Sequence, residues 1–173
     1  MNLDYNILKK NYIDFFENSD KCDFVLTDVL FAFKEIYSLI DDKKVNNILE
    51  IGSGTGILLK EFSKIFTKKT FHGLDPHQRG FYNYEKISKK ISNNNLLIIK
   101  NQLETFSSNE GYDLIFSFNV FEHLEDQNIY IKKIDNLLKK DGKSIILCPN
   151  YDFPYEPHFI IPIIYNKNIT YKL

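Results

Sequence analysis

The chain has 173 residues, 43% of them hydrophobic and 26% charged, with a formal net charge of -1; this fits one globular domain with a substantial apolar core and argues against a second. Arg79 is the single arginine and the lysines are interleaved with acids, so no basic stripe stands ready to neutralise phosphates and nucleic acid is not an expected partner. No charged-then-apolar leader opens the chain and no apolar run approaches the roughly 20 residues that span a bilayer; a membrane is not expected, the location reads as cytoplasmic, and Cys22 and Cys148 read as buried free thiols.

Residues 1–45 read as an N-terminal helical cap. Leu8, Tyr12, Phe15 and Phe16 share one face of a first helix, and Leu26, Leu30, Phe33, Tyr37 and Ile40 recur at four-three spacing in a second. Ile48–Ile51 is a short apolar strand of the kind buried on both faces. It breaks into Gly52-Ser53-Gly54-Thr55-Gly56, after which Leu58, Phe62, Ile65 and Phe66 mark a helix. Thr70–Leu74 supply a second strand, closed by Asp75-Pro76 because proline lacks an N–H. Tyr84, Ile87 and Ile91 give a further helix, Asn93-Asn94-Asn95 a loop, Leu96–Ile99 a third strand and Asp113–Phe118 a fourth. Ile131, Ile134 and Leu138 predict a last helix stopped by Asp141-Gly142, with Gly142 as its left-handed C′ residue, and Lys143–Cys148 a fifth strand. Crossovers of this length force strands to run parallel, so residues 46–150 predict a doubly wound, mostly parallel α/β sheet.

In such sheets ligands bind beyond the carboxyl ends of the strands. The residues there are the glycine loop, Asp75, Asn101-Gln102-Leu103, Asn119 to His123 and Pro149-Asn150-Tyr151. Glycines at alternate positions suit a turn that must take positive φ or let a ligand touch the main chain. A carboxylate at the tip of the neighbouring strand, about 20 residues beyond the loop, is placed to accept from both hydroxyls of a ribose. The expected ligand therefore contains an adenosine. A nicotinamide or flavin site asks for G-x-G-x-x-G, whereas here the third glycine comes one residue early and Ile57 takes the other place.

The pattern Glu50-x-Gly52-x-Gly54-x-Gly56 resembles the first motif of class I S-adenosylmethionine-dependent methyltransferases, and the resemblance continues at the proper intervals over residues 47–150. Asp75 resembles the acid of the family's second motif, Asp113 to Leu124 its fourth motif, and Leu137 to Lys143 the turn before its fifth strand. The resemblance implies a Rossmann-like fold and S-adenosylmethionine as cofactor. It further implies that Gly52, Ser53, Gly54 and Gly56 hold the aminocarboxypropyl end, braced by Glu50. Asp75 would bind the ribose, Gln102 and Leu103 the adenine, and Asn119 and Val120 the methionine arm. Gln102 stands where many relatives carry an aspartate.

The implied reaction is in-line displacement at the sulfonium methyl, with a small polar acceptor such as a sugar or another hydroxyl- or amine-bearing metabolite. Tyr12, Phe15, Phe16 and Phe118 are candidates for aromatic walls around the positive sulfur, weighed against an ordinary place in the core. His123 and His158 are the candidate bases. The segment from Pro149 to Phe159 reads as a stiff irregular loop, similar to a Pro-Asn…Glu-x-His loop in one branch of small bacterial methyltransferases, which brings Glu156 and His158 to the acceptor side. Residues 151–173 form the acceptor-side loop and a short tail, in which Ile160–Tyr165 and Ile169–Tyr171 are expected to pair. The family's last two strands are expected to be missing or abbreviated, which predicts either a homodimer through this segment or marginal stability. Three readings compete: a small-molecule methyltransferase, a nicotinamide-dependent oxidoreductase, and a non-catalytic or truncated cofactor-binding remnant.

Overall fold

A computed structural model describes residues 1–77, 82–124 and 126–149, together with the backbone pairing of 155–156 and 161–162. Helix α1 (Tyr5–Tyr12) is capped by Asp4, whose side chain accepts from the Ile7 N–H, and a 3₁₀ turn (Ile13–Phe15) leads to α2 (Ser19–Ile40), capped in the same way by Asn18. Then follow β1 (Asn47–Ile51), α3 (Ile57–Ile65), β2 (Thr70–Leu74), α4 (Tyr82–Ile91), β3 (Leu96–Ile99), β4 (Tyr112–Phe118), a 3₁₀ turn (Phe121–His123), α5 (Gln127–Leu137) and β5 (Leu138–Leu147). The sheet has the order β3-β2-β1-β4-β5 and every pairing in it is parallel. The predicted doubly wound architecture is the observed one.

Alternation along β1 sends its side chains into two cores, as both faces of a covered parallel sheet require. Ile48 joins the layer built by α1 to α4, where Phe33 and Phe62 stack with ring centroids 4.6 Å apart. Leu49 and Ile51 face the α5 layer with Ile115, Tyr130 and Ile134. Glu50 lies between these apolar positions, 5% exposed. The strand order reverses between β1 and β4, so the crevice between their carboxyl ends is where a ligand fits.

Three details depart from the sequence reading. Helix α5 stops at Leu137, and Leu138 is already extended at ψ 144, so β5 starts earlier than Lys143. Gly142 lies inside β5 and is no helix cap; what it supplies is room, since a Cβ there would stand 2.7 Å from the Tyr112 carbonyl oxygen. The left-handed glycine of this region is Gly111 at φ 66. Cys22 is buried as expected, but Cys148, past the end of β5, is exposed.

In the C-terminal segment Tyr155–Glu156 pair antiparallel with Ile161–Pro162. Glu156 is thus in a strand where an irregular loop was expected, and Ile161 pairs with it. The remainder of the pair predicted between Ile160–Tyr165 and Ile169–Tyr171 lies outside the described residues.

Candidate cofactor and acceptor site

The glycine loop takes the conformation its spacing predicts. Gly52, Gly54 and Gly56 have φ of 75, 52 and 74, a region costly for any residue with a Cβ. At Gly52 a Cβ would also collide with the Val120 side chain that follows β4. The loop is pinned to β2 by the N–H groups of Gly52 and Ser53, which reach the Leu74 carbonyl oxygen at 2.8 and 3.3 Å. Gly73, in the middle of β2, is required by the same contact: a Cβ there would stand 2.6 Å from the Ser53 Oγ. That glycine was not singled out from the sequence, where it reads as an ordinary strand residue.

A cavity of about 970 Å³ opens at this end of the sheet. It brings together Glu50, Gly52, Ser53, Gly54, Asp75, Gln102, Leu103, Asn119, Val120 and His123, residues that stand at or follow the ends of four different strands in the sequence. Gly56 does not line it; it caps α3 with its Cα packed toward Ile91 and Ile98. Asn119, which lines the cavity, and His77, whose ring meets the Gly54 carbonyl oxygen, both have positive φ, 54 and 48, a conformation that clusters at functional positions.

Glu50 is a buried carboxylic acid at the floor of the glycine loop. Burial, and after it the nearby Asp75, push its carboxyl well above the usual range, and its Oε2 is buried with no hydrogen-bond partner among the described residues. Ser53 Oγ is likewise buried with no partner among the described residues. Asp75 is better served: Oδ2 accepts from the Gly54 N–H at 2.8 Å and Oδ1 from the His77 N–H at 2.7 Å. One lone pair on each oxygen remains, enough for two ribose hydroxyls.

The aromatic candidates divide. Phe118 lines the cavity, where its ring lies 5.6 Å from that of Phe31. Tyr12, Phe15 and Phe16 do not. Tyr12 is buried between α1 and α3 and donates to Glu61, because its aromatic stripe serves the core. Phe24 on α2, Tyr84 on α4 and Tyr130 on α5 also reach the cavity and are not site candidates in the sequence; Phe24 falls off the apolar stripe of α2, and that mismatch is the available signal.

His123 stands on the cavity rim with an exposed side chain, its Nε2 3.8 Å from the buried Glu122 carboxylate. His72, by contrast, is a satisfied strand residue: Nδ1 meets the Tyr112 hydroxyl at 2.8 Å, and burial lowers its pKa. His158 lies outside the described residues.

A parallel sheet of this order, with a glycine loop after its first strand and a ribose-type acid after its second, is the Rossmann-like architecture of class I methyltransferases. Sequence comparison agrees: residues 22–163 match the model of a methyltransferase domain family, and the chain belongs to that family. Among curated relatives it is 30% identical over 129 residues to an uncharacterized protein of Mycobacterium tuberculosis, covering 73% of this chain and 43% of that one. It is 33% identical over 103 residues to a malonyl-[acyl-carrier protein] O-methyltransferase of Ilyobacter polytropus, covering 59% of this chain and 39% of that one. The chain thus spans about half or less of the length of these relatives. Among solved structures, the plantazolicin methyltransferase BpumL in complex with a pentazolic desmethylPZN analog and SAH superposes with a TM-score of 0.57 at 22% identity, over 85% of this chain and 54% of that one. Coclaurine N-methyltransferase bound to N-methylheliamine and SAH gives 0.56 at 18% identity, over 68% and 35%. The fold is shared with both.

Proposed function

We propose that this protein transfers a methyl group from S-adenosylmethionine to a hydroxyl or amine of a small-molecule acceptor. The observation that carries the cofactor is the orphaned Glu50 Oε2 beneath three left-handed glycines. An unmet buried acceptor costs about 1–3 kcal/mol, a cost that a ligand ammonium reaching it, directly or through water, removes. When bound, the cofactor supplies a methyl group activated by a sulfonium leaving group.

The remaining work is the chain's own. The backbone of Gly52, Ser53 and Gly54 holds the aminocarboxypropyl end above Glu50, with Gly56 setting the start of α3. Asp75 receives the ribose, and the Gln102 side-chain oxygen and the Leu103 N–H receive the adenine. Asn119 and Val120 flank the methionine arm. Holding an acceptor in line with the methyl group is a positioning effect that contributes several kcal/mol. His123, on the cavity rim, takes the acceptor's proton where it has one to lose; Glu156 and His158 are assigned to the acceptor side by resemblance. A homodimer through the C-terminal segment belongs to the same reading.

The wall chemistry narrows the acceptor. Asp28, Glu104 and Asp126 line the cavity in addition to Glu50 and Asp75, and no lysine or arginine does so among the described residues. A neutral or protonated acceptor is favoured over a carboxylated or phosphorylated one, because a low-dielectric cleft of one sign concentrates ligands of the other.

Calorimetric titration followed by an acceptor screen tests the proposal. Micromolar binding of S-adenosylhomocysteine (SAH) without NAD binding, then methyl transfer to a sugar or amine, is the expected result. Binding without transfer to any acceptor supports the non-catalytic reading, and binding of NAD alone overturns both.

A further inference from the structure

We infer that His77 is a positioning residue of the cofactor loop, locking the Gly54 peptide in the geometry that the cofactor meets. The inference rests on the loop being the cofactor cradle. Three residues past β2, His77 is 2% exposed and has a φ of 48, both unusual for a residue in a connecting loop. Its Nε2 lies 3.0 Å from the Gly54 carbonyl oxygen, and its backbone N–H reaches Asp75 Oδ1 at 2.7 Å. Asp75 Oδ2 in turn accepts the Gly54 N–H at 2.8 Å.

These bonds close a circuit: both polar groups of Gly54 are tied to residues that follow β2, one through the acid and one through the ring. A carbonyl oxygen can only accept, so Nε2 carries the hydrogen. Nδ1 is then on the far side of the ring, buried with no partner among the described residues, which leaves the bond at Nε2 as the polar contact that holds the ring. The loop after β1 meets the aminocarboxypropyl end of an adenosylmethionine and the acid after β2 its ribose, and the circuit joins the two into one preformed unit. Binding then loses less freedom, because the two ends of the site are already in register.

Two substitutions separate the bond from the backbone. Asparagine tolerates left-handed φ, but its amide is too short to reach Gly54; glutamine places an N–H donor where Nε2 stands. His77→Asn is expected to weaken SAH binding about fivefold to tenfold, the effect of one buried hydrogen bond. It should also speed hydrogen exchange of the Gly54 amide in the ligand-free protein by at least a similar factor. His77→Gln should stay within about twofold of wild type on both readouts, given that it restores the same bond. In ligand-free wild type, ¹⁵N NMR of the imidazole should show the Nε2–H tautomer.

A His77→Asn protein that matches wild type in Gly54 exchange, or a His77 with its hydrogen on Nδ1 alone, overturns the inference. Should the Asn variant not fold, the tautomer and the Gln variant still decide it. Failure of the wild type to bind SAH would sink the cofactor reading alone, since exchange and tautomer are measured without ligand.

Discussion

Glu50 makes the ligand-free protein less stable than its packing allows. Its carboxyl is held well above the usual range, first by burial and then by Asp75, so the folded chain binds this proton more tightly than the unfolded chain does. The group's contribution is therefore most favourable below its unfolded value of about 4.3 and is lost as pH rises through the folded value. Glu50→Gln is expected to raise the ligand-free Tm at pH 7 by about 2–4 °C for each kcal/mol recovered, with the gain shrinking toward pH 4. The same change should weaken SAH binding about tenfold, a charged acceptor having become a neutral one. A fall in Tm would mean that the carboxylate itself holds the fold together. Gly52 offers a complementary test, because alanine there meets both a φ of 75 and the Val120 side chain. Gly52→Ala should abolish measurable SAH binding and destabilise by about 1–3 kcal/mol. Adding Val120→Ala should recover only the steric part, which thermal denaturation of the four proteins in a double-mutant cycle measures.

At the scale of elements, the sheet is tied at its amino edge by Asp113. Its Oδ2 accepts from the N–H groups of Asn46 and Asn47 at 2.9 and 2.8 Å and its Oδ1 from Lys139 Nζ at 2.9 Å, so one side chain links β4 to the start of β1 and to β5. Burial pushes this carboxyl up, but the Asn47 N–H, Lys139 and the Asn46 N–H outweigh it and hold the value low. A lowered folded value gives stability that is present above the unfolded value, about 3.9, and is lost as pH falls through the folded one. Asp113→Asn should therefore cost about 2 kcal/mol near pH 7, with the difference from wild type closing below pH 4 in chemical denaturation. The strands this residue joins were legible in the sequence because their apolar runs are separated by glycine, proline and asparagine. Asp113 itself read only as the first letter of a motif, since its partners lie 66 and 67 residues away along the chain. The boundary between α5 and β5 was misplaced for a related reason. Leu137-Leu138-Lys139-Lys140 favours helix locally, and only the pairing of Leu138 with Tyr112 turns it into strand. The clustering of the glycine loop, Asp75, Gln102, Leu103, Asn119 and Val120 around one cavity was legible because these residues follow strand ends in a fixed order. The ring of His77 and the aromatics on α2 and α4 depend on helix rotation and loop packing, which no spacing rule specifies.

For the molecule as a whole, the cavity joins a polar cradle to an aromatic rim. Glycine backbone, Glu50 and Asp75 lie at the strand ends, while Phe24 from α2, Tyr84 from α4 and Phe118 from β4 supply the rings. Carboxylates and rings both attract cations, and a protonated amine gains from each at once. A pair of acceptors that share one body but carry an amine or a carboxylate isolates this effect. Steady-state assays with the amine are expected to give at least tenfold higher kcat/KM, and that advantage should shrink as ionic strength rises from about 0.01 to 0.15 M, where the screening length falls from about 30 to 8 Å. The amine must lose its proton before it can attack the methyl group, so its rate should climb with pH until the acceptor or the base is fully deprotonated. A preference for the carboxylate, or a preference for the amine that salt leaves untouched, would show that the acceptor is chosen by shape and that the acidic wall serves the cofactor alone.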